Sequence, residues 1–380
     1  MFIEILKMYI RINNVKRITI LILAITVTWF ESHGLDEGFT IDKIKPFNLR
    51  CVNGEMYNNK DLMGKTGAAL IFLSNHCKVS QQFQKNVILR NKIWIEQGIK
   101  LTVISPNYEK AILPDELAYT DAGDSFEEMK ERAENENYNF PYIYDGKNQI
   151  ITKSLKVKIT PSAYLFNKYG KLTYCGRLGN HEKPEELKNA EFSQAIERLL
   201  KENYSYTRTK VYGTSIKFQE DLNLVERVRK RYAQETIYLN YANKRKLNFF
   251  LKQETKYPRF FYIWTIYDNQ TQTRENLIGI SANYKIFRKR GLKVYTICIC
   301  EENEKEKALE ILKRAQLSTL NFYTSAKEIS DLSKLRDSVG FKTTPFCRLL
   351  SGDGKFDYGT NGVIDQKSLK KAFLRVLNKN

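Results

Sequence analysis

The chain is short of the residues that staple small folds. It has six cysteines in 380 residues and no pair at C-x-x-C spacing, which excludes a disulfide scaffold. Three scattered histidines with no cysteine cluster beside them argue against a zinc site. There is no phosphate-binding glycine loop, serine nucleophile elbow or haem C-x-x-C-H, so no cofactor is expected. Low-complexity tracts are missing too, and with 42% apolar and 12% aromatic residues the composition is that of a globular chain. Acid is the scarcer charge, with 43 Asp and Glu against 62 Lys and Arg, a formal net charge of +19. The length suggests two or three domains.

Residues 1–34 read as an address. Lys7, Arg11, Lys16 and Arg17 precede the apolar run at 18–30, which is short for a membrane span and right for the core of a signal peptide. Ser32 and Gly34 supply a small-x-small cleavage pattern, and Met8 offers a later start with a more typical leader length. Two readings stay open, a signal peptide or a retained N-terminal membrane anchor. Either makes the chain an exported protein of the periplasm or cell envelope, and the second associates it with the membrane through residues 18–30.

The positive charge has a preferred place. Residues 227–259 hold ten basic and two acidic side chains, a local net of +8. Within this stretch a helix is expected from DLNLVERVRKRYAQET, with Asp221 as N-cap and Leu224, Val225, Val228 and Tyr232 facing inward. Its basic face is either simply solvated or set against anionic lipid or an acidic partner. Nucleic acid is not expected as a partner, because the chain reads as exported and carries no recognisable binding motif.

The remainder is written twice. Residues 68–73 form a continuous apolar run, 79–98 carry a helical apolar period ending at Gly98, and 100–105 form a second apolar run. Strand, helix, strand in that order implies a parallel pair with a right-handed crossover. FPYIYD follows, then TPSAYLFNKYGKL at 160–172, which reads as a hairpin turning at Gly170. A shift of 193 residues lays 68–77 on 261–270 and Gly98 on Gly291. The hairpin returns as TPFCRLLSGDGKF at 344–356, with an insertion around AYTDAGDSF accounting for the change of register. The closing helix SLKKAFLRVLNKN repeats the one at 183–203.

The first copy resembles the thioredoxin-like redoxins of the alkyl hydroperoxide reductase and thiol-specific antioxidant group, in the branch whose active-site loop reads C-N-H-C-P. The matching residues are FLSNHCKVS (72–80), VISPN (103–107), ELAYTDAGDSFEEMKERA (116–133), FPYIYDG (140–146), TPSAYLFNKYGKL (160–172) and YCGRLGN (174–180). The resemblance implies an α/β fold of two tandem thioredoxin-like domains, each a three-layer α/β/α unit whose mixed sheet combines βαβ and C-terminal ββα units. Residues 35–217 form the first, 218–259 a basic connector and helix, and 260–380 a degenerate second domain. It also implies cis peptide bonds before Pro161 and Pro345, with Thr160 and Thr344 facing the active-site loop.

The departures concern thiols. Ser74 stands where the family has its first cysteine, Lys78 where it has proline, and Thr214 where its G-C-x-I-K motif has a cysteine. Asn75, His76 and Cys77 remain. In the second copy the loop reads Tyr267, Asp268, Asn269, Gln270, so no thiol chemistry is available there.

Cys77 falls at a helix N-terminus, where dipole and backbone N–H groups favour a thiolate, with His76 and Lys78 adding positive charge. Ser74-x-x-Cys77 is similar to the Thr-x-x-Cys of peroxiredoxins, which would give Ser74 a role in holding peroxide and Arg177 the role of its cationic partner. Cys175, on the hairpin strand after Pro161, reads as a buried structural cysteine, with approach to Cys77 as an accessory thiol its alternative. Cys51, Cys298, Cys300 and Cys347 read as core.

Two functions are therefore expected. One is single-cysteine thiol-disulfide or peroxide chemistry at Cys77, His76 and Ser74, resolved by an envelope protein or a small-thiol reductant. The other is a non-catalytic binding module that holds an envelope partner along Asn75, Thr160 and Pro161.

Overall fold

A computed structural model describes residue 35 and residues 37–252, 256–330 and 344–378. The expected address at 1–34 lies outside the described residues. No helix among the described residues is long and apolar enough to cross a membrane.

A short hairpin of β1 (Asn48–Arg50) and β2 (Met56–Asn58) precedes the first large sheet. That sheet contains β3 (Gly67–Phe72), β4 (Ile99–Ser105), β5 (Tyr142–Tyr144), β7 (Ser162–Asn167), β8 (Leu172–Gly176) and β9 (Thr207–Arg208), in the order β5-β4-β3-β7-β8-β9. The first three are parallel, and β7 returns antiparallel against β3. Every residue of β3 is buried, as expected for a central strand covered on both faces. Alternation splits its side chains: Ala69 and Ile71 join one apolar cluster, while Ala68, Leu70 and Phe72 join another on the opposite face.

Helix α1 (Lys78–Glu96) makes the crossover and covers the first of these faces with Phe83, Val87 and Trp94. Beside it lies the closing helix α3 (Glu191–Leu200), and Trp94 meets Phe192 edge-on at 5.5 Å. Gly98 ends the crossover at φ 78°, a backbone setting that glycine adopts without strain. Between β4 and β5 lies the insertion, which includes helix α2 (Phe126–Asn135).

Beyond a two-residue strand β10 (Thr214–Ser215), five strands of the second large sheet repeat the order β5-β4-β3-β7-β8, with one further strand beyond the counterpart of β5. It runs β11 (Asn240–Tyr241), β14 (Leu320–Thr324), β13 (Lys293–Ile299), β12 (Arg259–Thr265), β15 (Phe346–Leu350), β16 (Phe356–Asn361). Strand β12 pairs parallel with β13 and antiparallel with β15, just as β3 does with β4 and β7. The 193-residue shift thus lays strand on strand and the crossover helix α5 (Gln270–Phe287) on α1. Both Thr160–Pro161 and Thr344–Pro345 are cis. Asn240–Tyr241, within the stretch read as connector, is the edge strand of the second sheet.

The connector helix α4 (Leu222–Ala233) departs from expectation in two details. Val225 and Tyr232 are buried, but Leu224 points to solvent. Asp221 does not cap α4; its carboxylate accepts the backbone N–H of Phe218 and closes the preceding turn.

The insertion that separates the two copies in register also joins them in space. Ala118 lies in the second domain's apolar cluster, among residues of α5 and the C-terminal helix α7 (Gln366–Leu377). Lys289 pairs with Asp115 at 2.6 Å, and Lys367 with Glu131 at 2.8 Å. Arg290 donates to the carbonyls of Ala118 (2.6 Å) and Leu377 (2.9 Å). Removing that guanidinium strands half-buried carbonyls that water reaches poorly. Arg290→Ala should therefore lower stability by about 1–3 kcal/mol, measured as an earlier urea midpoint, with faster proteolytic cleavage between residues 113 and 124.

Candidate functional site around Thr160

The loop between β3 and α1 carries Ser74, Asn75, His76 and Cys77, and all four are buried. Cys77 is the N-cap of α1: the backbone N–H of Ser80 donates to its Sγ at 3.4 Å, meeting one of the donors that a helix leaves unpaired at its start. The loop is tied down on itself. Ser74 N–H donates to Ser80 Oγ at 3.3 Å, and Gln81 Nε2 donates to Asn75 O at 2.6 Å.

Thr160 is where the loop meets the rest of the domain. Its carbonyl accepts the Cys77 thiol at 3.2 Å, and its hydroxyl lies 2.9 Å from that of Ser74. The same hydroxyl donates to the carbonyl of Thr214 at 3.5 Å. Strand β10 pairs antiparallel with β6 (Ile159–Thr160), Thr214 opposite Thr160. The positions at which the sequence substitutes hydroxyls for thiols, Ser74 and Thr214, thus converge with Cys77 on one threonine.

His76 is held by a residue that sequence reasoning did not single out. Its Nδ1 is 2.6 Å from Asp124 Oδ2. Asp124, itself buried, also accepts the backbone N–H groups of Asn75 (2.5 Å) and His76 (3.3 Å) and Nδ2 of Asn107 (2.6 Å). Asn107 in turn accepts the N–H of Lys217 at 2.8 Å, anchoring the far end of the β10 strap. A carboxylate ringed by donors compels the imidazole to donate from Nδ1, and Nε2 is left buried with no partner. Asp124 and Asn107 both lie inside blocks quoted for the resemblance. Nothing in the one-dimensional pattern distinguishes Asp124 from its neighbour Asp121, which pairs with Arg132 instead.

Three candidate residues make no hydrogen bond to the Cys77 thiol among the described residues. His76 is neither solvated nor bonded to the thiol, because Asp124 takes its ring. Arg177 makes no contact with Cys77; its guanidinium forks onto Glu191, which holds that carboxyl below its usual pKa. Cys175 lies on the opposite face of the sheet from α1, since Tyr174 and Cys175 alternate across β8. Its Sγ meets the hydroxyl of Tyr206 at 3.3 Å, and burial pushes its pKa up. All six cysteines are free and buried. Among the described residues no group of three or more His, Cys, Asp or Glu is placed to hold a metal ion.

In the second domain the corresponding hub is rebuilt without sulfur. The hydroxyl of Thr344 donates to Asp268 at 2.6 Å, and Asp268 also accepts the N–H of Thr265. A parallel strand pair, a crossover helix capped by the loop, and a returning strand that starts at a cis-proline facing that loop appear twice. Both domains are thioredoxin-like. The first resembles the redoxins.

No family model matches the chain, and no curated protein matches its sequence. Solved structures match about half of it. One is an uncharacterized conserved protein of Geobacillus kaustophilus, at 24% identity over 49% of this chain and 94% of that one, with a TM-score of 0.41. Another is a hypothetical protein of Sinorhizobium meliloti, at 19% identity over 49% and 97%, with a TM-score of 0.42. A third is a bacterioferritin comigratory protein of Xanthomonas campestris described for alkyl peroxide reduction, at 13% identity over 44% and 94%, with a TM-score of 0.31.

Two outcomes test this redoxin-like site. Gly213 enters the strap at φ 151°, and a Cβ there would collide with the carbonyl of Thr160. Gly213→Ala should cost about 1–3 kcal/mol in urea titrations and speed alkylation of Cys77. Because its pKa is lowered in the fold, Glu191 stabilises above its unfolded value near 4.3 and loses that contribution as pH falls through the folded value. Glu191→Gln should therefore lose less stability than wild type when acidified below about pH 4 in thermal melts.

Proposed function

We propose that this protein is a redox-silent thioredoxin-fold binding module: a redoxin-like domain that retains the architecture of thiol chemistry but does not turn over. One observation carries the reading. Of the positions gathered at Thr160, only Cys77 is a thiol, and its S–H is buried and donated to the Thr160 carbonyl. A dithiol cycle needs an exposed attacking thiolate and a second thiol to release the mixed disulfide. Here the attacking position is Ser74, and the other thiol-bearing position of the resemblance is Thr214. The partner expected from the reading is another protein of the cell envelope, reached by export through residues 1–34. The backbone edge beside Thr160-Pro161 is taken by the chain's own β10, so a partner binds there by displacing residues 214–215 or uses another face.

A second reading, single-cysteine exchange or peroxide reduction, is favoured by the helix N-terminus under Cys77 and the N–H of Ser80 directed at its sulfur. One experiment separates the two. The native full chain and its Cys77→Ser variant are exposed to iodoacetamide across pH 5–9, with labelled sites read by mass spectrometry, and to hydrogen peroxide. The binding reading expects Cys77 to be labelled far more slowly than in the urea-unfolded chain, with identical peroxide traces. Rapid native labelling of Cys77, with peroxide consumption lost in the serine variant, would overturn it.

A further inference from the structure

A cavity of about 630 Å³ opens on the face of the first sheet that lies opposite α1, in the size range of small-molecule sites. Its floor is apolar, made by Leu35, Leu155, Val157, Tyr164 and Cys175, all buried. Among the described residues its charged side chains are all of one sign: Lys156, Lys158, Arg208 and Lys210 line it, exposed to solvent, and no described acidic residue does. None of the four is in an ion pair among the described residues.

The interior adds a second, independent observation. Ser162 lines the cavity, is 2% exposed, and its hydroxyl has no hydrogen-bond partner. A buried hydroxyl left unpaired costs stability unless something reaches it. The Cys175 thiol, which burial keeps protonated, belongs to the apolar wall rather than to the chemistry. Such a cavity repels cations at its mouth and favours a molecule anionic at one end and apolar along its body.

We propose that this cavity binds a free single-chain amphiphilic carboxylate of the fatty-acid type. The alkyl chain lies on Leu155, Val157 and Tyr164, and the carboxylate meets Lys158 and Arg208 at the rim. Ile159 and Ser162 of the lining flank Thr160-Pro161, so the occupant rests against the back of the segment that holds the Cys77 loop. The proposal requires no reactivity at Cys77 and stands apart from the function proposed above.

The test is isothermal titration calorimetry of the full chain with sodium decanoate below its micellar concentration. Saturable one-to-one binding is expected, weakened by roughly tenfold or more in the double variant Lys158→Glu with Arg208→Glu. Both side chains are exposed, and circular dichroism checks that the variant keeps its fold. Butyrate, which lacks the tail, and decanol, which lacks the charge, should each bind far more weakly than decanoate. Equal binding of decanoate to wild type and variant, equal binding of decanol, or absence of saturable binding would each overturn the proposal. Affinity seen only for phosphatidylglycerol vesicles, with none for free decanoate, would also overturn it and point to a membrane surface.

Discussion

The first domain is organised around Thr160. Its carbonyl accepts the thiol of Cys77, its hydroxyl meets Ser74, and its backbone pairs with Thr214. A β-branched residue held before a cis-proline offers both faces of its peptide and a short hydroxyl within one small volume. Loop, sheet and strap therefore share a single anchor, and none can shift without unpairing a buried polar group. In a low-dielectric interior such unpaired groups cost more than the hydrogen bonds return, which makes this small network stiff. The same stiffness seals the thiol.

Asp124 is the second anchor, and it links the site to the rest of the molecule. It comes from the insertion that also supplies Ala118 to the second domain's core and Asp115 to its ion pair with Lys289. The backbone of the 74–77 loop, the His76 ring and Asn107 all hang on this one carboxylate. The second domain's corresponding loop holds no cysteine, yet the domain packs against the segment that fixes the first domain's loop. Its contribution is placement.

Much of the architecture was legible in one dimension because it depends on short-range pattern. Continuous apolar runs marked β3 and β4, glycines at 98 and 291 marked the ends of crossovers, and the resemblance to thioredoxin-like folds implied the two cis bonds. The site was legible only in part. Cys77, Ser74 and Thr160 lie in motifs, and the structure gathers them. Asp124 and Asn107 were hidden, because a carboxylate and an amide become network members only when two loops distant in sequence meet. Arg177 was misplaced for a related reason, while Cys175 takes the structural one of its two readings. Proximity along β8 says nothing about which face of the sheet a side chain takes, and a guanidinium pairs with the carboxylate that packing brings nearest. Leu224 failed similarly, since a helical period leaves the limits of the buried stripe to whatever packs against it.

The sequence by itself determined the strand and helix order, the doubling of the fold and the count of thiols at the site, because these follow from periodicity, turn chemistry and residue identity. Tertiary structure alone decided that the remaining thiol is sealed, that Asp124 takes the histidine, and that four cations surround an apolar hollow. Those facts depend on contacts between segments far apart in sequence, 48 residues for His76 and Asp124 and 86 for Ser74 and Thr160, and only the folded chain brings them together.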